Sequence, residues 1–221
     1  MRTFFKQKKI FLDGEGDNWF FRNKDKYQKN NLRRNKILFN QIEKLEFNRT
    51  NKKINFLEVG CSNGMFLQSL KKKLGNINIF GIDPSKKAIE ELKKKNIKCY
   101  VGTADKLKFK KNSFDIIYYG FCLYLCDLKD YNNIYLSAKR ALKKGGYIII
   151  FDFFSKKLKR NIYKHDKRIK STKYDFRKIF QKEKKFNCLY HNLYNYSNML
   201  KVKNNKKGDL LSISIMKNVT N

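Results

Sequence analysis

The sequence predicts an α/β fold, a doubly wound and mostly parallel sheet of seven strands that ends in an antiparallel carboxy-terminal strand pair. Three observations predict it. Short apolar runs alternate with helix-period segments between residues 54 and 153. Those runs are apolar on both faces, as in parallel strands covered by helices on two sides. The last third of the chain instead carries two strand-like runs with no helix between them.

Taken in order, residues 54–59 (INFLEV) form an apolar run that stops at Gly60, and the segment after it sets Phe66, Leu67, Leu70 and Leu74 on one helical face. Residues 77–82 repeat the strand signal. Asp83-Pro84-Ser85 then opens the helix KKAIEELKKK, because Pro suits a first helical turn and Ser a cap. Residues 97–101, 114–120 and 146–153 supply three more strands, with a helix over residues 131–142 before the last. Residues 186–194 and 209–217 read as an antiparallel pair on the edge of the sheet. Ahead of the first strand, residues 23–47 have helical periodicity with a face rich in Lys and Asn. The economical division is an amino-terminal helical extension or lid over residues 1–50, then one domain over 51–221 with an insertion at about 154–185.

Against 19 acidic residues stand 52 Lys and Arg, a formal net charge of +33. That balance would ordinarily point to nucleic acid or an anionic membrane surface. Only nine of the basic residues are Arg, and Lys accompanies abundant Asn, Ile, Phe and Tyr, the residues of A/T-rich codons. The charge is therefore open to two readings, a partner or codon supply. Five cysteines, an odd number without CxxC or a Cys/His zinc spacing, argue against a disulfide framework and a structural metal. No stretch has the length of a signal peptide core or the ~20 apolar residues of a membrane span. The expectation is a cytoplasmic protein.

The most informative segment is FLEVGCSNGMF, residues 56–66. A buried strand ends in Glu58, then turns through Gly60, Cys61, Ser62, Asn63 and Gly64 into a helix. The turn aims helix-start N–H groups and a glycine-permitted backbone approach at the carboxyl end of a central parallel strand, where open α/β sheets bind ligands. A dinucleotide site wants G-x-G-x-x-G, but Ser62 and Met65 stand at the later glycine positions; a phosphate-binding P-loop would need Gly-Lys-Ser/Thr. Neither fits. A second acid, Asp83, closes the next strand, where a carboxylate accepts hydrogen bonds from ribose hydroxyls. Ala104-Asp105 follows the third strand. Read singly, Glu58 is a helix-dipole partner and Asp83 a cap.

Together these segments resemble the class I S-adenosylmethionine-dependent methyltransferases over about residues 55–153. The resemblance implies a Rossmann-like fold and S-adenosyl-L-methionine as cofactor, with Glu58, Gly60 and Gly64 at its methionine part, Asp83 at the ribose and Asp105 by the adenine amino group. Ser62, Ala104, Tyr119 and Gly120 complete the cofactor-binding set it implies. Two departures are visible: Ser62 replaces the family's usual middle glycine, and Lys108 stands where Pro is common. Ser needs little more room than Gly, so cofactor binding is expected to survive.

Methyl transfer from a sulfonium needs alignment in a dry pocket more than covalent help, and a general base only where the acceptor loses a proton. His165, in the insertion, is the candidate base or substrate contact, whereas His191 falls inside a strand and reads as structural. Trp19, the only Trp, with Arg22 three residues on, is the candidate lid pair. Tyr124, in FCLYLCD after the fourth strand, is a candidate at the acceptor side. The turn Tyr119-Gly120-Phe121-Cys122 lacks the Asn/Asp-Pro-Pro-aromatic pattern of amino-adenine enzymes, and neither Cys122 nor Cys126 follows a Pro as a cytosine-attacking Cys would. The leading expectation is an O- or N-methyltransferase acting on a small molecule, a sugar or other metabolite. An RNA methyltransferase using the basic surface and a non-catalytic cofactor-binding partner subunit are the alternatives.

Overall fold

The structure is a computed structural model that describes residues 6–25, 31–45, 53–202 and 209–219. Its main sheet is built from β1 (Ile54–Val59), β2 (Ile77–Asp83), β3 (Lys98–Val101), β4 (Phe114–Gly120), β5 (Leu142–Phe154), β8 (Phe186–Asn195), β9 (Lys201–Val202) and β10 (Leu210–Asn218), in the order β3-β2-β1-β4-β5-β10-β8-β9. The first five run parallel, and β10, β8 and β9 pair antiparallel. The strand order reverses between β1 and β4, so the connections leaving their carboxyl ends pass to helices on opposite faces and leave a crevice, the place where doubly wound sheets take ligands.

One expectation of the sheet is corrected. Described strands in the main sheet number eight, not seven, because Lys201–Val202 adds a two-residue edge strand too short to show any alternation in sequence. The antiparallel carboxy-terminal pair lies at the edge as expected, with β10 joining it to β5 and almost continuously buried from Leu211 to Met216, as an inner strand is. Strand β8, half-exposed along most of its length, is the outer of the two.

Helices cover both faces. On one, α3 (Asn31–Ile42) and α4 (Met65–Leu74) bury Leu38, Ile42, Phe66, Leu67 and Leu70 against Phe56, Tyr118 and Phe151, joined by Ile89 and Leu92 of α5 (Lys86–Lys94). On the other, α6 (Tyr131–Ala141) and the short α7 (Arg177–Phe180) bury Ile134, Tyr135, Ala138 and Phe180 against Leu57, Ile117 and Ile148. Ser85 caps α5 as its sequence position predicts, its Oγ accepting the Ala88 N–H at 3.0 Å.

The amino-terminal region is not one helix over 23–47. It holds α1 (Gln7–Ile10), a wide turn over Phe11–Glu15, α2 (Gly16–Asn23) and α3, with residues 1–5, 26–30 and 46–52 outside the described residues. The GDNWFFRN run is itself helical, with Asp17 in the first turn and Phe20 fully buried. Within the insertion, β6 (Lys159–Ile162) and β7 (Lys170–Lys173) form a separate antiparallel hairpin. Strand β6 is exposed throughout, so no hydrophobic alternation announces it in the sequence.

Candidate functional site

The turn after β1 is shaped by backbone requirements at three positions. Gly60 has φ 77°, and a Cβ there would come within 2.8 Å of the Cys122 Cβ, so only glycine lets the chain pass the end of β4. Gly64, φ 66°, is packed against Leu92. Ser62 lies between them at φ 46°, in the left-handed region that side-chain-bearing residues enter at a cost of about 1–2 kcal/mol. The demand at this position is one of conformation rather than of room.

Asp83 fastens this turn. Its Oδ2 accepts the Ser62 N–H at 2.9 Å and its Oδ1 the Ser85 N–H at 2.8 Å, so one carboxylate joins the glycine turn to the start of α5. Burial pushes its pKa up to about 6 against the pull of those two donors. Each oxygen keeps a second lone pair, and the side chain lines the cleft. Glu58, one strand away, is also buried and has an Oε2 without any hydrogen-bond partner. Burial holds its carboxyl well above the usual range, opposed by the positive Arg34 and reinforced by Asp83.

Beyond β3, Gly102 N–H donates to Asp83 O at 3.0 Å and leads into the turn carrying Thr103, Ala104 and Asp105. Lys8 reaches Asp105 and also Asp130, the latter at 3.0 Å. Burial would raise the Asp105 pKa, but the hydrogen bond from Lys8 brings it below the usual carboxylate value.

Lys8 belongs to an amino-terminal segment pinned at several points. Gln7 donates its backbone N–H to Asp127 at 2.7 Å and its side-chain amide to Leu125 O at 2.8 Å, while its Oε1 accepts the Lys170 N–H at 2.8 Å. Asp17 Oδ1 accepts from Ser85 Oγ at 2.7 Å and from Lys87 N–H at 3.0 Å. Gly16 passes so close to Pro84 and Ser85 that a Cβ would sit 2.9 Å from Ser85 N. Arg22 pairs with Glu15 and donates to the Tyr163 hydroxyl at 3.3 Å, tying α2 to the hairpin. The segment thereby lays Phe11 and Trp19 along the cleft.

Two clefts result. The first is lined by Gly60, Asp83, Ala104 and Asp105 from the sheet ends and by Lys8 and Trp19 from the amino-terminal segment. The second runs between α3, the end of β5 and the hairpin, and Trp19, Tyr124 and His165 are in its lining. Trp19 and Phe121 belong to both. Of the residues singled out in sequence, Glu58, Ser62, Gly64, Tyr119 and Gly120 stand behind the first cleft and shape it. Tyr119 is fully buried, with a hydroxyl that finds no partner, and Gly120 gives way to the Tyr118 ring. Arg22 lines neither cleft. His165 is exposed on the turn between β6 and β7, 5.2 Å from the Tyr163 ring, at the rim of the second cleft.

Sequence reasoning missed Lys8, Asp17, Arg34 and Asp152. The first three carried no signal, since their partners lie far along the chain. Asp152 did carry one: it is a lone acid in the apolar run GYIIIFDF, the pattern that drew attention to Glu58. It is fully buried and accepts N–H groups of Tyr124 at 3.2 Å and Phe153 at 2.8 Å, which fixes the turn after β4. Burial pushes its pKa up to about 7. Among the described residues no group of three His, Cys, Asp or Glu side chains is placed to hold a metal, and no helix is long and apolar enough to cross a membrane.

Residues 57–150 match the methyltransferase-domain family model. No curated protein sequence matches the chain. Solved structures do match it. A SAM-dependent methyltransferase from Methanosarcina mazei superposes with a TM-score of 0.60 at 17% identity, covering 77% of this chain and 94% of that one. The 1,6-didemethyltoxoflavin-N1-methyltransferase of Burkholderia thailandensis, solved with 1,6-didemethyltoxoflavin and S-adenosylhomocysteine, gives 0.71 at 9% identity, covering 96% and 89%. A Haloferax volcanii protein in complex with the Trm112 methyltransferase activator gives 0.64 at 16%, covering 91% and 97%.

Two outcomes are expected from these geometries. Ser62→Gly, which keeps the N–H given to Asp83, should stabilise the chain by about 1 kcal/mol, a rise of roughly 2–4 °C in thermal midpoint; a lower midpoint would show that the Ser side chain offsets its strained backbone. For Asp152 the folded pKa lies above the unfolded value of about 3.9, so its contribution to stability is greatest below about pH 4 and is lost as pH rises through 7. Between pH 5 and pH 8 the wild type should lose about 2–3 kcal/mol that Asp152→Asn does not lose, measured by chemical denaturation. Parallel slopes for the two proteins would mean that Asp152 is ionised throughout that range.

Proposed function

We propose that the chain is a class I S-adenosylmethionine-dependent methyltransferase that transfers a methyl group to an O or N atom of a small-molecule acceptor, a reading supported by the methyltransferase-domain match over residues 57–150 and by the fold it shares with solved methyltransferases. The observation that supports this reading is the sharing of Trp19 and Phe121 by the two clefts. A donor in the first and an acceptor in the second would meet across one aromatic wall, beneath a segment that excludes water.

The first cleft suits S-adenosylmethionine on its own features. Glu58 Oε2 is a buried acceptor without a donor, Gly60 permits close backbone approach, and the Asp83 oxygens have capacity left for ribose hydroxyls. Asp105 sits at the far end of the same cleft, next to Ala104, where the adenine would lie. The cofactor supplies a methyl group on a sulfonium, a good leaving group because it departs as a neutral thioether. The work left to the protein is alignment and exclusion of water. Phe11 and Trp19 screen the cleft, and Asp83, which lines it, orients the ribose end, with Glu58 buried behind. A proton on an O–H or N–H acceptor would have to pass to water or to a base at the acceptor side. His165 stands at the rim of the second cleft, where it would touch the acceptor.

Two measurements test this reading. Calorimetric titration should give S-adenosylmethionine a dissociation constant on the order of micromolar, with NAD and ATP inert and Asp83→Ala at least about tenfold weaker. Equal affinity in the variant would remove Asp83 from the site. If the amino-terminal segment is a lid, Asp17→Ala should weaken cofactor binding several-fold and lower stability by about 1 kcal/mol through the lost cap. An unchanged dissociation constant would make the segment a packing element only. An acceptor found solely in nuclease-sensitive extract would favour the RNA reading, and cofactor binding without turnover on any extract the partner-subunit reading.

A further inference from the structure

The second cleft combines two features, an aromatic wall and cationic residues. Its wall is aromatic and continuous: the Phe121 ring lies 4.7 Å from Phe151 and 5.5 Å from Phe153, and Phe153 in turn 5.1 Å from Tyr124 and 5.4 Å from Tyr196. Phe121 meets Phe151 and Phe153, and Tyr124 meets Phe153, edge to face at 64–69°, so the wall offers single ring faces and edges on which one planar guest can stack or abut.

The other feature is charge. Among the described lining residues Arg33, Arg34, Lys164 and Lys173 are cationic, and the one carboxylate, Asp209, is paired with Lys173. A surplus of lysine would mean little in a chain of net charge +33. Arginine means more here, because only nine of the 52 basic residues are Arg and two of the nine stand side by side in this lining. Codon supply that loads a surface with Lys does not explain that choice. Arg34 is moreover buried, its guanidinium over the Phe121 and Phe151 rings at 5.8 and 5.9 Å, a stacking an ammonium does not reproduce. Arg33 is exposed at the mouth and gives one N–H to Asn198 O at 3.2 Å, one of five such donors on a guanidinium. A planar fork of donors beside an aromatic wall is the chemistry that recognises a carboxylate or phosphate on a ring.

We propose that the acceptor held in this cleft is a planar aromatic or heteroaromatic small molecule bearing a carboxylate or phosphate, stacked on a ring of this aromatic wall with its anionic group on Arg33 at the mouth. The proposal rests on the reading of the second cleft as the acceptor side, and narrows it to a substrate class. It also gives the basic residues at the mouth a role independent of nucleic acid.

Trp19 is the only tryptophan and lines both clefts, so its fluorescence reports on each. The probes are 4-hydroxybenzoate, orotate and phenyl phosphate, against the neutral rings phenol and uracil and the non-planar anion cyclohexanecarboxylate, each titrated with and without S-adenosylhomocysteine. At least one anionic ring should bind about tenfold or more tighter than every neutral ring and than cyclohexanecarboxylate. Arg33→Gln should weaken that probe at least about fivefold and leave the S-adenosylhomocysteine affinity unchanged, whereas Lys72→Gln, the same loss of charge on an exposed face of α4, should alter neither. No preference for anionic rings, or a preference reduced equally by Lys72→Gln, overturns the proposal. Because the probes are also read without cofactor, failure of S-adenosylhomocysteine to bind would count against the methyltransferase reading alone.

Discussion

The Asp83 carboxylate is the constraint on which the site depends. It ends β2 and takes the N–H of Ser62 on one oxygen and that of Ser85 on the other. It thereby sets the distance between the glycine turn and the start of α5. Burial works against its charge and the two backbone donors work for it, which leaves its pKa pushed up to about 6. The strained φ of Ser62 is tolerated because this bond and the Gly64 N–H to Cys61 O bond fix the turn from both sides.

The same short stretch anchors the amino-terminal segment. Ser85, whose backbone binds Asp83, gives its hydroxyl to Asp17 and accepts the Ala88 N–H, so the cap of α5 is also the hinge on which α2 rests. At the other end Lys8 bridges Asp105 and Asp130. The four carboxylates lining the crevice, Asp83, Asp105, Asp127 and Asp130, thus have bonds to backbone donors or to a lysine. Glu58 Oε2 is the one left buried without a donor. That asymmetry gives the crevice its polarity: a neutralised end at Asp105 and an unsatisfied acceptor behind Gly60.

The large net charge plays a smaller part in the site than its size suggests. Most lysines are spread over exposed faces such as that of α4, where Lys71, Lys72 and Lys73 follow one another into solvent. Cations that matter are those whose surroundings restrict them: Lys8 between two carboxylates, Arg22 held by Glu15, Arg34 over two rings. Local packing, not the total, decides which charges do chemistry.

By itself the sequence determined the alternating strands and helices, the turn at Gly60 and the acids at the ends of β1 and β2. These follow from periodicity and from glycine's backbone freedom, both of which are local. Glu58 and Asp83 were legible because an acid closing an apolar strand has no place in a core unless something meets it. Only the tertiary structure decided that β10 lies inside the sheet, that Lys8 crosses to Asp105, that Asp17 caps a helix 70 residues away, and that Trp19 and Phe121 join two clefts. Each of those brings together residues far apart in the chain. Such contacts leave no period in the sequence, because their geometry exists only once the sheet has brought the partners together.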